Sequence, residues 1–207
     1  VKAVGFVGSS KIAKIIYQRA TNLGKRALCL GGAKNHIVLL PDAQPIMAGN
    51  GIADSFTGCA GQRCMAASVL LAVGDVEKQI TKIKERALDT TIGSKMGAII
   101  TKEQVEFLNT AIDLAVKEGA TLLLDGRNQN PGSDFENGYW IGPTILDNVK
   151  KGSQAAKTEL FGPIISIIRC KNLTEAIDIE NSNEYGNAAS IFTNNGAAAE
   201  IITQNAS

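Results

Sequence analysis

The sequence predicts an α/β fold built on a largely parallel sheet. Short apolar runs alternate along the chain with longer amphipathic stretches, the pattern of strands joined by crossover helices. Where a helix is read, apolar residues return at helical spacing, as in Val76, Ile80, Ile83 and Ala87. No internal repeat or low-complexity tract breaks the alternation.

Ala3–Val7 reads as a strand, followed by Gly8-Ser9-Ser10 and a helix from about Lys11 to Asn22, which Leu23-Gly24-Lys25 stops. Arg26–Leu30 is a second strand, broken by Gly31-Gly32. His36–Leu40 is a third, ended by Pro41. A helical stretch interrupted by Pro45 and Gly49 comes next, then a strand over Ser68–Val73 and the helix carrying Val76 to Ala87. Thr101 and Gln104 have capping-box spacing, in which each side chain satisfies an orphan backbone donor, and Val105, Leu108, Ile112 and Ala115 supply that helix's buried stripe. Thr121–Leu124 is a strand. Arg127–Gly138, rich in Asn and Gly, is an exposed loop. Ile164–Ile168 is apolar enough for a central strand. Asn172 with Glu175 caps a helix to about Asn181, and a strand over Ala188–Phe192 and a helix over Ala197–Asn205 complete the pattern.

With 207 residues, 44% apolar and 20% charged, the chain can bury a core and is not of disordered composition. Lys plus Arg number 21 against 20 Asp plus Glu, without the basic excess of a nucleic-acid binder. No apolar run approaches a membrane span. The chain opens at Val1, without Met or a leader pattern and inside a strand-like run, which reads as an internal piece or processed product of a longer polypeptide. Four cysteines (Cys29, Cys59, Cys64, Cys170) are too few for a disulfide scaffold, and without a CxxC pair there is no zinc-site pattern. A reducing compartment is the expectation.

Three motifs carry chemistry. Gly8-Ser9-Ser10 lies between a strand and a helix, where backbone N–H groups and the helix dipole favour a phosphate. It also suits an ordinary turn with a Ser cap. Gly58-Cys59-Ala60-Gly61-Gln62-Arg63-Cys64-Met65-Ala66-Ala67 surrounds Cys64 with small residues in an expected loop-to-helix transition. A helix N-terminus and Arg63 would both favour its thiolate, the nucleophilic form. A small buried cysteine is the alternative, and the one expected of Cys29 and Cys170 on apolar strands. The lone His36 is expected to be structural. Glu159-Leu160-Phe161-Gly162-Pro163 combines a firm turn with a carboxylate suited to a ribose and an aromatic suited to a ring-binding wall, or else a loop Glu and a core Phe.

Phe6-Val7-Gly8-Ser9-Ser10, Leu30-Gly31-Gly32, Gly61-Gln62-Arg63-Cys64 and Glu159-Leu160-Phe161-Gly162-Pro163, in that order, resemble the aldehyde dehydrogenase superfamily. Gly31-Gly32-Ala33-Lys34-Asn35-His36, Pro41-Asp42-Ala43, Ala60–Ala66 and Tyr185-Gly186-Asn187 are similar to its methylmalonate-semialdehyde dehydrogenase branch. The resemblance runs through the whole chain but matches only an internal part of that branch's polypeptide. It implies the end of a Rossmann-like NAD-binding domain over residues 1–32, then a catalytic domain over 33–207 that is incomplete at its C-terminus. The family's side-chain oxyanion Asn and its adenine-side contacts would lie before Val1.

The resemblance makes Cys64 the catalytic nucleophile, with its backbone N–H as an oxyanion donor. It puts Gly8 and Ser9 at the cofactor's phosphate-ribose side and Leu30 and Gly31 at the nicotinamide end. Glu159 would hold the nicotinamide ribose, with Phe161 beside the ring. Hydrolytic members carry Glu immediately before Leu-Gly-Gly; here Cys29 stands there. Without that base water is a poor acyl acceptor, so coenzyme A is expected as the acceptor and methylmalonate or malonate semialdehyde as the substrate, with Arg63 binding its carboxylate. The alternatives are a truncated, catalytically incompetent folded module and, third, a hydrolytic aldehyde dehydrogenase. The expected partner is a small-molecule aldehyde, with no nucleic acid, membrane or metal. Homo-oligomerisation of the full-length protein and a mitochondrial-matrix or bacterial-cytoplasmic setting are further implications.

Overall fold

In the computed structural model, which describes residues 1–206, the chain divides into two compact units, Val1–Ala33 and the segment from Lys34 onward. The first is a βαβ unit. Strands β1 (Ala3–Val7) and β2 (Arg26–Leu30) pair in parallel, Ala3 beside Arg26 through Val7 beside Leu30, and α1 (Ser10–Asn22) is the crossover. Along both strands every second residue is half-buried (Val4, Phe6, Ala27, Cys29) while Val7, Leu28 and Leu30 stay exposed, the two-residue period of a sheet covered on one face. The expected stop after α1 is present: Gly24 adopts φ +66°, and its N–H and that of Lys25 return to the Thr21 and Ala20 carbonyls.

The second unit holds a six-stranded sheet in the order β5-β6-β7-β4-β3-β8. These are β3 (Asn35–Leu39), β4 (Ala67–Val73), β5 (Thr121–Leu124), β6 (Thr144–Asp147), β7 (Ile164–Cys170) and β8 (Ala189–Phe192). All neighbours are parallel except β5 and β6. One face packs Ile37, Leu39, Leu70, Ala72, Ile165 and Ile167 against α2 (Pro45–Thr57) and α3 (Glu77–Leu88) through Ile52, Phe56, Ile80 and Ile83. The other packs Val38, Val69, Leu71, Ile164 and Ile168 with residues of α4 (Lys102–Lys117), α6 (Leu173–Asn181) and α7 (Gly196–Asn205). A sheet covered on both faces explains why β4 and β7 read as continuous apolar runs. As expected, β7 is an interior strand.

Three expectations about elements need correction. Pro45 and Gly49 do not interrupt α2. Proline stands at the first helical position, where its missing N–H was an orphan anyway. Gly49 lets α2 approach α3 so closely that a Cβ there would lie 2.6 Å from that of Lys82. Strand β6 and the one-turn helix α5 (Gln154–Lys157) were not anticipated; each is four residues long, too short to show a period. The Thr101 cap is only half a capping box. Thr101 accepts from the Gln104 N–H at 3.2 Å, but the Gln104 side chain goes elsewhere, to the Leu160 carbonyl at 2.7 Å. The Asn172 cap is reciprocal: Asn172 accepts from the Glu175 N–H, and Glu175 accepts from the Lys171 N–H.

Because β3, β4, β7 and β8 run in one direction, the segments leading into them share one rim of the sheet. That rim receives Lys34-Asn35, Arg63-Cys64, Thr158–Pro163 and Asn187.

Candidate active site

Helix α2 ends at Thr57, and a single turn over Gly58–Gly61 reverses the chain. Cys59, Ala60 and Gly61 all adopt positive φ (51°, 54° and 68°), a conformation that L side chains rarely hold. A Cβ at Gly61 would overlap the Gly162 carbonyl, so glycine is required for this loop to lie against the segment Glu159–Pro163. The structure thereby brings the second and third motifs into contact.

Cys64 follows, exposed and unpaired with any other cysteine. It leads into strand β4, not into a helix. The expected helix N-terminus is therefore absent from its setting. The physical reason is the apolar run from Ala67 to Val73, which is buried as a strand. The helix end close by is the C-terminus of α2, and Arg63 is fastened to it: its Nη2 donates to the carbonyls of Ser55 at 2.9 Å and Asp54 at 3.3 Å. A cation on terminal helix carbonyls is electrostatically apt. Glycine at position 58 makes room, since a Cβ there would stand 2.5 Å from Nη2.

The rest of the loop is held by side-chain amides. Gln62 donates to the Ala98 carbonyl and accepts from the Ile100 N–H. Asn35 Nδ2 donates to the carbonyls of Cys64 at 2.8 Å and Ala66 at 2.7 Å. Asn187 Nδ2 donates to the same Cys64 carbonyl at 2.7 Å and to Asn35 Oδ1 at 3.1 Å.

Glu159 is half-buried and Phe161 is exposed, the latter with φ +52°. Gln104 fixes the Leu160 carbonyl, and Lys34 Nζ donates to the Thr158 carbonyl at 2.7 Å. Lys34 is wholly buried. Burial pushes its ammonium down to about 7, opposed by the Glu159 carboxylate, which favours the charged form. His36, also buried, is pushed down to about 4, chiefly by desolvation, so its ring is neutral near pH 7. Cys170 is buried as expected, and its thiol is pushed up to about 11.

In the first unit, Gly8, Ser9, Leu30 and Gly31 gather where both strands end and α1 begins. The Gly8 N–H donates to the Leu30 carbonyl at 3.1 Å, and Ser10 Oγ accepts from the Gly32 N–H at 2.9 Å. A Cβ on Gly31 would crowd Ser10 Oγ at 2.8 Å. Ser9 is the N-cap by conformation, but its side chain caps nothing, so no hydroxyl competes for the first-turn N–H groups. Cys29, expected to be buried, is only half-buried: it lines a cavity of about 320 Å³ with Ser10, Ala13, Lys14, Tyr17, Gln18 and Gly31.

Four residues of the second unit escaped sequence reasoning as site components. Lys34, Asn35 and Asn187 stand inside motifs that carried the family resemblance, without a role. Gln104 was read only as a cap.

The model of the aldehyde dehydrogenase family matches residues 1–207. The chain belongs to the aldehyde dehydrogenase family. Within this family it is 41% identical over 205 residues to the human mitochondrial methylmalonate-semialdehyde/malonate-semialdehyde dehydrogenase [acylating], covering 96% of this chain and 38% of that protein. Among solved structures, the methylmalonate-semialdehyde dehydrogenase from Oceanimonas doudoroffii superposes with a TM-score of 0.95 at 37% identity, over 100% of this chain and 44% of that one. A Sinorhizobium meliloti 1021 protein solved in complex with NAD does so at 0.95 and 38%, over 100% and 43%. The chain thus spans about two-fifths of the length of the relatives it matches. The related proteins include mitochondrial and bacterial ones, and among the described residues no helix is long and apolar enough to cross a membrane.

Proposed function

We propose that this chain carries the nucleophile of an NAD-dependent, CoA-acylating dehydrogenase of methylmalonate or malonate semialdehyde. The observation that carries the reading is Cys64, an exposed thiol whose carbonyl is held by two asparagines and whose loop lies, at Gly61, against Gly162-Pro163 of the Glu159–Pro163 motif. The names of the relatives supply the substrate class.

The Cys64 thiolate adds to the aldehyde carbon, with the Cys64 N–H available to the developing oxyanion. NAD, when bound, supplies the acceptor for the hydride that leaves the adduct. What remains is an acyl thioester on Cys64. The CoA thiol, losing its proton to solvent, then attacks this thioester, forming acyl-CoA and returning the Cys64 thiolate. Gly8 and Ser9 would hold the cofactor's phosphate-ribose side at the uncapped N-terminus of α1, which suits an anion. Leu30 and Gly31 would serve its nicotinamide end, Glu159 the ribose and Phe161 the ring. Arg63 has Nη1 and Nε left for the substrate carboxylate, Nη2 being committed to α2. Cys29 before Leu30-Gly31-Gly32 removes the carboxylate base that hydrolysis needs. A homo-oligomer in a mitochondrial matrix or bacterial cytoplasm is the setting proposed.

The test is NADH formation from malonate semialdehyde with and without CoA. Turnover is expected only with CoA; steady turnover in its absence would establish the hydrolytic alternative. A folded chain that forms no NADH with CoA present would support the incompetent-module reading instead. Arg63→Ala should impair malonate semialdehyde far more than propanal, and equal impairment would remove Arg63 from substrate recognition.

A further inference from the structure

We propose that Asn35 and Asn187 form a two-amide clamp that positions the nucleophile. The inference rests on the reading of Cys64 above. The Cys64 carbonyl accepts two side-chain N–H donors, from Asn35 at 2.8 Å and Asn187 at 2.7 Å. The two donors are themselves joined, Asn187 Nδ2 to Asn35 Oδ1 at 3.1 Å. Asn35 is the buried member and also ties down the Ala66 carbonyl at 2.7 Å. Holding the carbonyls of Cys64 and Ala66 fixes the backbone on which the Cys64 side chain is mounted.

Two backbone irregularities serve this clamp. The β3–β4 register slips between Asn35, opposite Ala67, and His36, opposite Val69. A bulge of this kind re-aims a side chain at a strand's end. Asn187 adopts φ +111°, a costly conformation for a residue with a Cβ. A glycine would hold that backbone more easily but would carry no amide. The strain is therefore retained for the side chain, which reaches Cys64 from 123 positions away.

Asn187→Gly separates the clamp from the fold, because it relieves strain while deleting the donor. The melting temperature should hold or rise. Backbone amide exchange in peptides covering residues 62–66 should accelerate about tenfold or more relative to the rest of the second unit. In turnover with NAD, CoA and malonate semialdehyde, kcat should fall about tenfold with the KM for NAD unchanged, since misplacing a reacting group by about 1 Å can cost 10²-fold. Asn35→Asp, isosteric but without the amide donors, should accelerate exchange in the same peptides. Unchanged exchange at residues 62–66 in Asn187→Gly overturns the clamp. So does a fall in melting temperature with faster exchange throughout the unit, which is the mark of a merely structural residue. Retained turnover in Cys64→Ala would instead overturn the assignment of the nucleophile, while the exchange measurement still decides whether the clamp exists.

Discussion

The two rims of the six-stranded sheet are fastened by different chemistry. At the rim where β6 and β7 end, the carboxylate of Asp147, almost wholly buried, takes a bidentate pair from Arg169 at 2.8 and 2.6 Å, and Glu77 at the start of α3 adds a second carboxylate to the same guanidinium. Where β3 and β8 end, Asp42 accepts from the Thr193 hydroxyl and the Asn194 N–H. These are opposite charges and strong acceptors used as rivets. At the other rim, where β3, β4, β7 and β8 begin, four neutral amides, Asn35, Gln62, Gln104 and Asn187, tie backbone carbonyls, joined there by two cations, Lys34 on Thr158 and Arg63 on the end of α2. Charged groups there are few. Arg63 lies on a helix end, and Lys34 sits beside Glu159. Amide ties of this kind fix a loop by geometry. In open α/β sheets ligands usually bind at the strands' carboxyl ends; here the loops with Cys64 and Glu159 lie at the amino ends, and the Asp147–Arg169 and Asp42 ties lie at the carboxyl ends.

The sharpest break of this comparison is Cys64→Ala. It should lower NADH formation by on the order of 10³-fold or more, as removal of a nucleophile does, with the melting temperature within about 1 °C of the parent because the residue is exposed. Comparable turnover would remove the functional half of the contrast. Next comes Arg169→Ala, which leaves the Asp147 carboxylate buried and unpaired. It should cost roughly 3 kcal/mol in urea unfolding, while exchange at residues 62–66 stays as in the parent. A change below about 1 kcal/mol would mean the opposite rim is not braced by charge. Gly61→Ala should cost about 2 kcal/mol through its left-handed backbone, and the added Cβ must also push the loop off the Gly162 carbonyl. Loss of turnover exceeding loss of stability would sharpen the link between the two loops.

A further effect is in pH. Burial lowers the Lys34 ammonium from 10.5 to about 7 and the His36 imidazolium from 6.5 to about 4. In both windows the folded chain binds fewer protons than the unfolded one. Stability therefore rises with pH from about 7 to 10.5 through Lys34 and from about 4 to 6.5 through His36, and it is lost as pH falls through each. Lys34→Met should flatten the alkaline slope of melting temperature against pH, and His36→Gln the acid one. Slopes equal to the parent's would show that these buried groups titrate normally.

The alternation of apolar and amphipathic runs was readable because strand and helix periods are local. Small neighbours made an accessible Cys64 one of two readings, and the structure decided for exposure over a small buried cysteine. The strand after its loop was readable too, as Ser68–Val73, whereas the helix start expected at the motif itself was wrong. Ala66-Ala67 starts a helix as readily as a strand, and burial on both faces between β3 and β7 decided for strand. Pro45 and Gly49 misled for the same reason: a proline at a helix start and a glycine at a helix contact look like breaks until the partner helix is in place. Asn35 lies 29 positions before Cys64, and Asn187 lies 123 after it. No window along the chain contains all three.

By itself the sequence determined the α/β class, nearly every strand and helix, and the family. Each of these rests on interactions within a few residues or on motifs read in order. Only the tertiary structure decided that the loops of four parallel strands meet at one rim, that Gly61 packs on Gly162, and that two distant asparagines hold one carbonyl. Those facts depend on strand order and register, which are set by how the whole sheet buries both of its faces.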